Sequence, residues 1–487
     1  MLKKILAALL AAATVLTFAA CKDEVENPPV DDNPPVVNQD DQTPGKTDVA
    51  EGEIDYEDGL STDRYDGYNY RMLVRQTQLE DQYVEEDSED TVKSAVYRRN
   101  KEIEEKYGIT ISATESSAVY ETDALNSILG GDDAYDIIFT HSRAAFTYAV
   151  QGAAYNINDI KSIHLDKPWW SKNLADCDVN GYLYVLDGDI STNGLGCAMV
   201  MFFNKVLFDE LGYDYPYQMV KDDEWTFDAF AYLVKKGGRD LSGDGKIEPE
   251  VDQLGFYTGE WDAPINILYS SGEKIYTKND EGVLELTLYS NKTVEVFDDF
   301  FALFETDSCK ILLEEGGDAY TGPKPFNEGR ALMKPGLLLD AQTYRGLDDD
   351  FGILPYPKYD EEDPYTTAIN GAANLIVIPI TVSDVERTGA ITEALCSYGS
   401  KYVIPAFYDV SLKTKSARDE ESEEMLDIIK DSRVYDLGYV TSGTFASIGA
   451  ELARSTTHDF ASTYAQGASQ AQQKLAEFNR DYGHIEG

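Results

Sequence analysis

From residue 70 onward, short apolar runs alternate with longer segments whose apolar residues recur every three or four positions. YRMLVRQ (70–76) has the form of a strand. DSEDTVKSAVYRRNKEIEEKYG (87–108) places Val92, Val96 and Ile103 on one helical face, offers Asp87 or Ser88 as cap and Gly108 as stop. ITISAT (109–114) is a second strand, and ALNSILGGDDAYDIIFTH gives a helix, a Gly-Gly break and a strand at 135–140. This β-α-β-α-β order predicts a parallel, doubly wound sheet. A second cycle follows. CAMVMFFN (197–204) reads as a strand buried on both faces, KVLFDELG as a helix ended by Gly212, and QLGFYTG as another short strand. Between them, EWTFDAFAYLVKKGG reads as a helix capped by Thr226 that buries Phe227, Phe230 and Leu233 and stops at Gly237–Gly238.

The pattern is different before residue 62. Lys3 and Lys4 precede an apolar run from Ile5 to Ala20, too short for a comfortable membrane span and shaped like a secretory signal, 1–20. Cleavage for soluble secretion would put Phe18 at a position that wants a small residue. FAAC, with Cys21 last, is similar to a bacterial lipobox and fits better. A diacylated Cys21 would anchor the chain to a membrane through two acyl chains. Residues 21–62 carry prolines 28, 29, 34, 35 and 44, many acids and few large apolar groups, the composition of a disordered acidic tether.

Composition narrows the partners. The 41 basic and 89 acidic side chains give a net charge of −48, which repels nucleic acid and disfavours docking on anionic lipid by a basic patch. The same charge favours a soluble monomer. Cys177, Cys197, Cys309 and Cys396 show no CxxC spacing; small buried thiols and a disulfide framework both remain open. No HExxH, GxSxG, Walker A or GxGxxG motif occurs, and histidines 141, 164, 458 and 484 offer little for a triad or a zinc site.

Four segments in order carry a family resemblance: NGYLYVLDGDI…MVMFFNKVLFDELGYDYP (180–216), EWTFDAFAYLVKKG (224–237), FNEGRALMKPGLLLD (326–340) and DFGILPYPKY…AINGAANLIVIPIT (350–381). Together they resemble the extracellular solute-binding proteins of bacterial ABC importers, specifically the carbohydrate-binding class that includes maltose-binding proteins. The resemblance implies a two-lobed α/β, periplasmic-binding-protein-like fold of type II, each lobe a doubly wound, mostly parallel sheet. The expected first lobe is 66–187 plus 356–403 and the second 190–353 plus 408–487, with hinge strands near 187–190, 354–356 and 400–408. The tail after 411 matches no usable pattern.

A sugar offers hydroxyl rims and apolar C–H faces, so its site needs aromatic platforms beside carboxylates or amides. Trp261, between Glu260 and Asp262 in a strand-to-helix loop, answers that description; Trp169 and Trp170 are a second candidate platform, and Trp225 reads as packing. Loops at strand C-termini line clefts in open α/β sheets, which nominates Gln76, Gln78, His141 and Ser142. Position in the family-like segments nominates Asp340, Gln342, Asn370 and Asn374. RDLSGDGKIEPE (239–250) has EF-hand oxygen spacing: Asp240, Ser242, Asp244, the Lys246 carbonyl and Glu248, with Gly245 at the bend. Val251 stands where the closing glutamate belongs, so Glu250 or Asp252 would have to substitute. The loop reads as a structural Ca²⁺ site.

The expectation is a lipid-anchored, non-enzymatic subunit outside the cytoplasmic membrane. It captures a mono- or oligosaccharide by hinge closure and presents it to the transmembrane subunits of an ABC permease. A surface glycan-binding lipoprotein without a transporter, or a surface glycoside hydrolase, is the alternative.

Overall fold

The computed structural model describes residues 54–313, 322–412, 420–441 and 443–484. The expected signal segment and Cys21 lie outside them, as does the tether up to residue 53. Its final stretch, 55–62, is part of the folded body. Leu60 is buried, Lys106 pairs with Glu57 at 2.6 Å, and Lys167 pairs with Asp58. Among the described residues no helix is long and apolar enough to cross a membrane.

Two sheets, each flanked by helices, form the two lobes. The first has the order Asn374–Val377, Ile137–His141, Asn69–Val74, Thr110–Glu115. The two pairings of the Asn69–Val74 strand are parallel, with Tyr70 opposite Ile111 and Met72 opposite Ile137. Asn374–Val377 closes the edge antiparallel, setting Asn374 against His141. The second sheet runs Phe351–Leu354, Met199–Asn204, Ala331–Leu337, Leu254–Gly259, Cys309–Leu312. Only its far half is parallel. The near half is antiparallel because Met199–Asn204 and Phe351–Leu354 adjoin passages between the sheets, not βαβ crossovers. Met199–Asn204 is buried along its whole length, as its unbroken apolar run requires.

Helix boundaries follow local chemistry. The first long helix, Thr91–Tyr107, is capped by Asp90, whose carboxylate accepts the N–H groups of Val92 and Lys93. The expected caps are already engaged upstream: the Asp87 carboxylate accepts the Ser88 N–H and the Ser94 hydroxyl, and Ser88 Oγ accepts the Asp90 N–H. Gly108 ends the helix at φ +71°, where a side chain would be strained and would also strike Asp66. Thr226 caps Phe227–Gly237 as expected, accepting the Ala229 N–H. Phe230 of that helix meets Phe256 of the second sheet edge-on at 5.0 Å.

Three passages link the sheets. The first leaves after Leu186, which bridges Ile376, and enters at Ala198, which bridges Ile369. The second joins Leu354 to Asn374 and the third covers residues 399–412. Buried polar groups hold the first passage. Asp187 accepts the Tyr435 hydroxyl at 2.8 Å and pairs with Arg433 at 3.4 Å, while Lys430 reaches Asp189 at 3.1 Å. Arg99, fully buried in the first helix, donates to the carbonyls of Ile190 and Gln82. Burial pulls its pKa down to about 10. The tail after 430 therefore belongs to the hinge as much as to one lobe. Its last helix, Phe460–Gly483, spans both: Phe460 packs on Phe297 at 5.0 Å and Phe478 on Phe146 at 6.3 Å. All four cysteines among the described residues are buried and unpaired.

Candidate functional site

Strand Leu254–Gly259 ends at the C-terminal edge of the second sheet, and helix Ala263–Ser270 starts after three intervening residues. The turn is tight because Thr258 Oγ1 accepts the Ala263 N–H at 3.1 Å. That geometry carries Glu260, Trp261 and Asp262 to the mouth of a cavity of about 670 Å³. The opposite side of the cavity comes from the strand Ala331–Leu337 and the helix Asp340–Tyr344. Asp340 accepts the Leu337 N–H at 3.0 Å, and Lys334 donates to the Tyr344 hydroxyl.

The three loop residues differ in state. Trp261 is 38% exposed. Glu260 is fully buried; Arg454 pairs with its Oε1, and no described residue bonds its Oε2. Asp262 lies within electrostatic reach of buried Tyr344, Tyr356 and Tyr439. An aromatic face beside carboxylate oxygens is therefore built into one wall.

The first sheet supplies a second wall. Arg75 donates to the Ala372 carbonyl at 2.6 Å and to Asn374 at 3.0 Å; Asn374 in turn donates to Gln78. His141 is buried, and its Nδ1 accepts the Arg143 N–H at 3.2 Å, capping helix Ser142–Val150. Burial, helped by Arg75 and Arg143, lowers its pKa to about 4, so it is neutral at pH 7. Tyr120 sits edge-on to His141 at 4.9 Å and is 45% exposed. Tyr120 and Glu121 both have left-handed backbone, φ +56° and +51°. The strain is held by buried contacts: the Glu121 carboxylate accepts from Thr140 and the His141 N–H, and its carbonyl accepts the Tyr148 hydroxyl at 2.6 Å. Tyr120, Arg143, Tyr148 and Thr441 border a second cavity of about 390 Å³.

Tyr439 sits where the walls meet. Burial raises its pKa; its hydroxyl bonds the Gly371 backbone and feels Arg143 of one wall and Asp262 of the other.

Of the residues expected from sequence, the structure brings Glu260, Trp261, Asp262 and Asp340 to one cavity. Gln78 and Asn374 face each other on the first wall, already bonded, and His141 serves as a cap. Trp169 and Trp170 are not a platform. Both are buried, and their indole N–H groups donate to the two oxygens of Glu393 at 2.8 and 2.9 Å. Ser142 is fully buried, donating to the Gly371 carbonyl at 2.6 Å, so it pins the hinge segment instead of meeting ligand. Gln342 is exposed but does not line the cavity, and Asn370 caps its own turn through the Ala372 N–H. Trp225 is packing, its N–H bonded to the Pro355 carbonyl. Sequence reasoning missed Lys334 and Tyr344 at the first cavity, Tyr120 and Arg143 at the second, Tyr439 within reach of both Arg143 and Asp262, and Arg454 over Trp261; only the folded topology places them there.

The loop Asp240–Glu250 is organised around its own backbone. Asp240 accepts the N–H groups of Gly243 and Gly245, at 2.5 and 2.7 Å, and Asp244 that of Lys246. Asp252 closes it by accepting from Leu241, Ser242 and Glu248. These N–H groups hold the carboxyls of Asp240 and Asp252 below their ordinary pKa. Among the described residues no three His, Cys, Asp or Glu side chains converge as metal ligands.

Comparison with known proteins agrees with this architecture. The chain is similar to UspC of Mycobacterium tuberculosis at 14% identity, covering 84% of this chain and all of that one, TM-score 0.54. It is similar to an ABC transporter solute-binding protein of Thermotoga lettingae bound with α-D-tagatose (13% identity, 85% and 100% covered, TM-score 0.52). It also resembles UgpB of M. tuberculosis in complex with glycerophosphocholine (14% identity, 85% and 98% covered, TM-score 0.51). At these identities the likeness is one of fold. A search of curated proteins gives no match. The sequence profile of the bacterial extracellular solute-binding proteins matches residues 86–383, more than half of the chain. The chain belongs to the bacterial extracellular solute-binding protein family.

Proposed function

We propose that this protein captures a mono- or oligosaccharide between its two lobes and delivers it to an ABC permease, held at the outer face of the cytoplasmic membrane by lipid on Cys21. One observation carries the reading: an exposed indole flanked by two carboxylates at the mouth of a cavity, on the wall of a hinged α/β cleft. A sugar's C–H face stacks on Trp261, and its hydroxyls donate to the half-buried Asp262 beside it. Tyr120 on the facing wall closes on the other side of the ligand. Ligand favours the closed form because only there do both walls touch it. Family membership makes the chain a solute binder, and relatives of the same fold hold small polyhydroxylated guests: α-D-tagatose, maltotetraose and glycerophosphocholine.

The loop Asp240–Glu250 is proposed as a structural Ca²⁺ site through Asp240, Ser242, Asp244, the Lys246 carbonyl, Glu248 and Glu250. Binding there would require Asp240 to exchange backbone donors for the ion. It would pin a surface loop and take no part in ligand capture.

A thermal-shift screen against monosaccharides, maltodextrins, mannooligosaccharides and glycerophosphocholine tests the reading. At least one saccharide should raise Tm, with a shift that grows as the logarithm of its concentration above Kd. No shift from any saccharide, with a shift from glycerophosphocholine alone, would overturn the sugar assignment.

A further inference from the structure

The family match ends at residue 383, yet the chain's late helices reach the ligand-facing wall. Helix Ile448–Arg454 lies hard against helix Ala263–Ser270. The approach is possible because residue 449 is glycine: a Cβ there would sit 2.8 Å from the Ile265 nitrogen and 2.9 Å from the Pro264 carbonyl carbon. Arg454, the last residue of that helix, consequently projects over the loop 260–262. Its guanidinium carbon is 5.2 Å from the centroid of the Trp261 ring, and one of its N–H groups donates to Glu260 Oε1.

We infer that Arg454 is a positioning residue for the ligand-facing wall, fixing the Trp261 ring and the Glu260 carboxylate before ligand arrives. The inference rests on the saccharide-capture reading for its purpose, though its geometry stands alone. Two arguments support it. Glu260 is fully buried, and Arg454 is the cation paired with it; without that partner a carboxylate would be left desolvated and unpaired. Trp261 is partly exposed, so its ring would sample several rotamers; a cation over one face restricts it and lowers the ordering cost at binding.

The chain has four tryptophans, and Trp169, Trp170 and Trp225 are each at most 3% exposed. Acrylamide, a neutral quencher, therefore reports on Trp261 without any ligand. Arg454→Ala should raise the quenching constant about twofold or more, the population shift expected of losing an exposed cation–π contact. Glu260→Gln should do the same by weakening the grip on Arg454. Arg454→Lys keeps the charge but not the planar stack; it should give an intermediate value with an unchanged melting midpoint, which separates positioning from folding. Quenching and near-ultraviolet dichroism of Arg454→Lys and Arg454→Ala identical to the parent would overturn the inference. That outcome is independent of the sugar screen: a quenching change with no sugar bound by the parent would leave the positioning role intact and sink only the saccharide reading.

Discussion

Trp261→Ala is the sharpest test of where ligand sits. A tryptophan side chain presents up to about 250 Å² to its surroundings. With Trp261 38% exposed, about 95 Å² is available to a stacked sugar, worth ~2.4 kcal/mol at ~25 cal/mol per Å² of apolar burial. If ligand covers all of it, truncation weakens binding about 50-fold; if it covers half, about sevenfold. Truncation also removes the covered part of the ring, about 155 Å² or up to ~4 kcal/mol by the same coefficient, so a lower melting midpoint is expected and binding is measured well below it. Titration calorimetry of parent and variant with the best saccharide from the screen reads the effect directly, and a thermal melt controls for folding. A change below threefold, measured at a temperature where the variant is still folded, would remove Trp261 from the site and, with it, the main support for a stacked sugar.

Further outcomes follow from other parts of the molecule. Arg433→Ala should cost about 3–5 kcal/mol of stability, because it strands the buried Asp187 carboxylate at the first passage between lobes; a denaturant midpoint shift worth under 1 kcal/mol would contradict this. Asp436 is buried against the N–H groups of Ile275, Tyr276 and Gly438, and burial raises its pKa to about 6. Between roughly pH 4 and 6 the folded chain thus keeps a proton that the unfolded chain has released, so stability falls as pH rises through that window, by on the order of 3 kcal/mol from this group. Because His141, held neutral by its lowered pKa, works in the opposite sense over this range, the melts at pH 5 and 7.5 are read on the parent against Asp436→Asn: the parent should lose more of its midpoint on going to 7.5, and an equal or smaller loss would refute the assignment. Tyr120→Ala should weaken saccharide binding several-fold and relieve backbone strain only if Glu121 relaxes with it; unchanged affinity in calorimetry would mean that the first wall does not touch ligand. For the loop Asp240–Glu250, a millimolar chelator should lower the melting midpoint of protein prepared with Ca²⁺ while leaving saccharide affinity unchanged. A midpoint indifferent to chelator and to added Ca²⁺ would reduce the loop to a backbone-bonded turn.

The sequence made the strand-helix alternation readable because local rules govern it. Gly108 and Thr226 end and start helices through backbone donors and φ angles that nothing distant has to supply. The cap at Asp90 was misplaced by two or three residues because Asp87, Ser88 and Asp90 are chemically equivalent candidates until the chain's path decides among them. The loop 260–262 was legible for the same local reason: a strand ended, a helix began, and an indole stood between acids. The tryptophan pair 169–170 was misread because its partner, Glu393, is more than two hundred residues away and only the fold reveals that both indoles point to it. The same distance hid Arg454, Tyr439 and Arg433. Each lies in a tail without a family pattern, and each acquires its role by packing against elements from the middle of the chain. The half-antiparallel second sheet was likewise invisible, since alternating strands and helices do not announce which strands adjoin the passages between lobes.

The central claim is reversible capture of an unaltered sugar. Calorimetric titration of the purified protein with the saccharide that gives the largest thermal shift, followed by chromatography of the same mixture, tests it most directly. The account predicts one saccharide bound per chain and the sugar recovered intact. Recovery of cleaved sugar, or no heat from any saccharide at millimolar concentration, would contradict it.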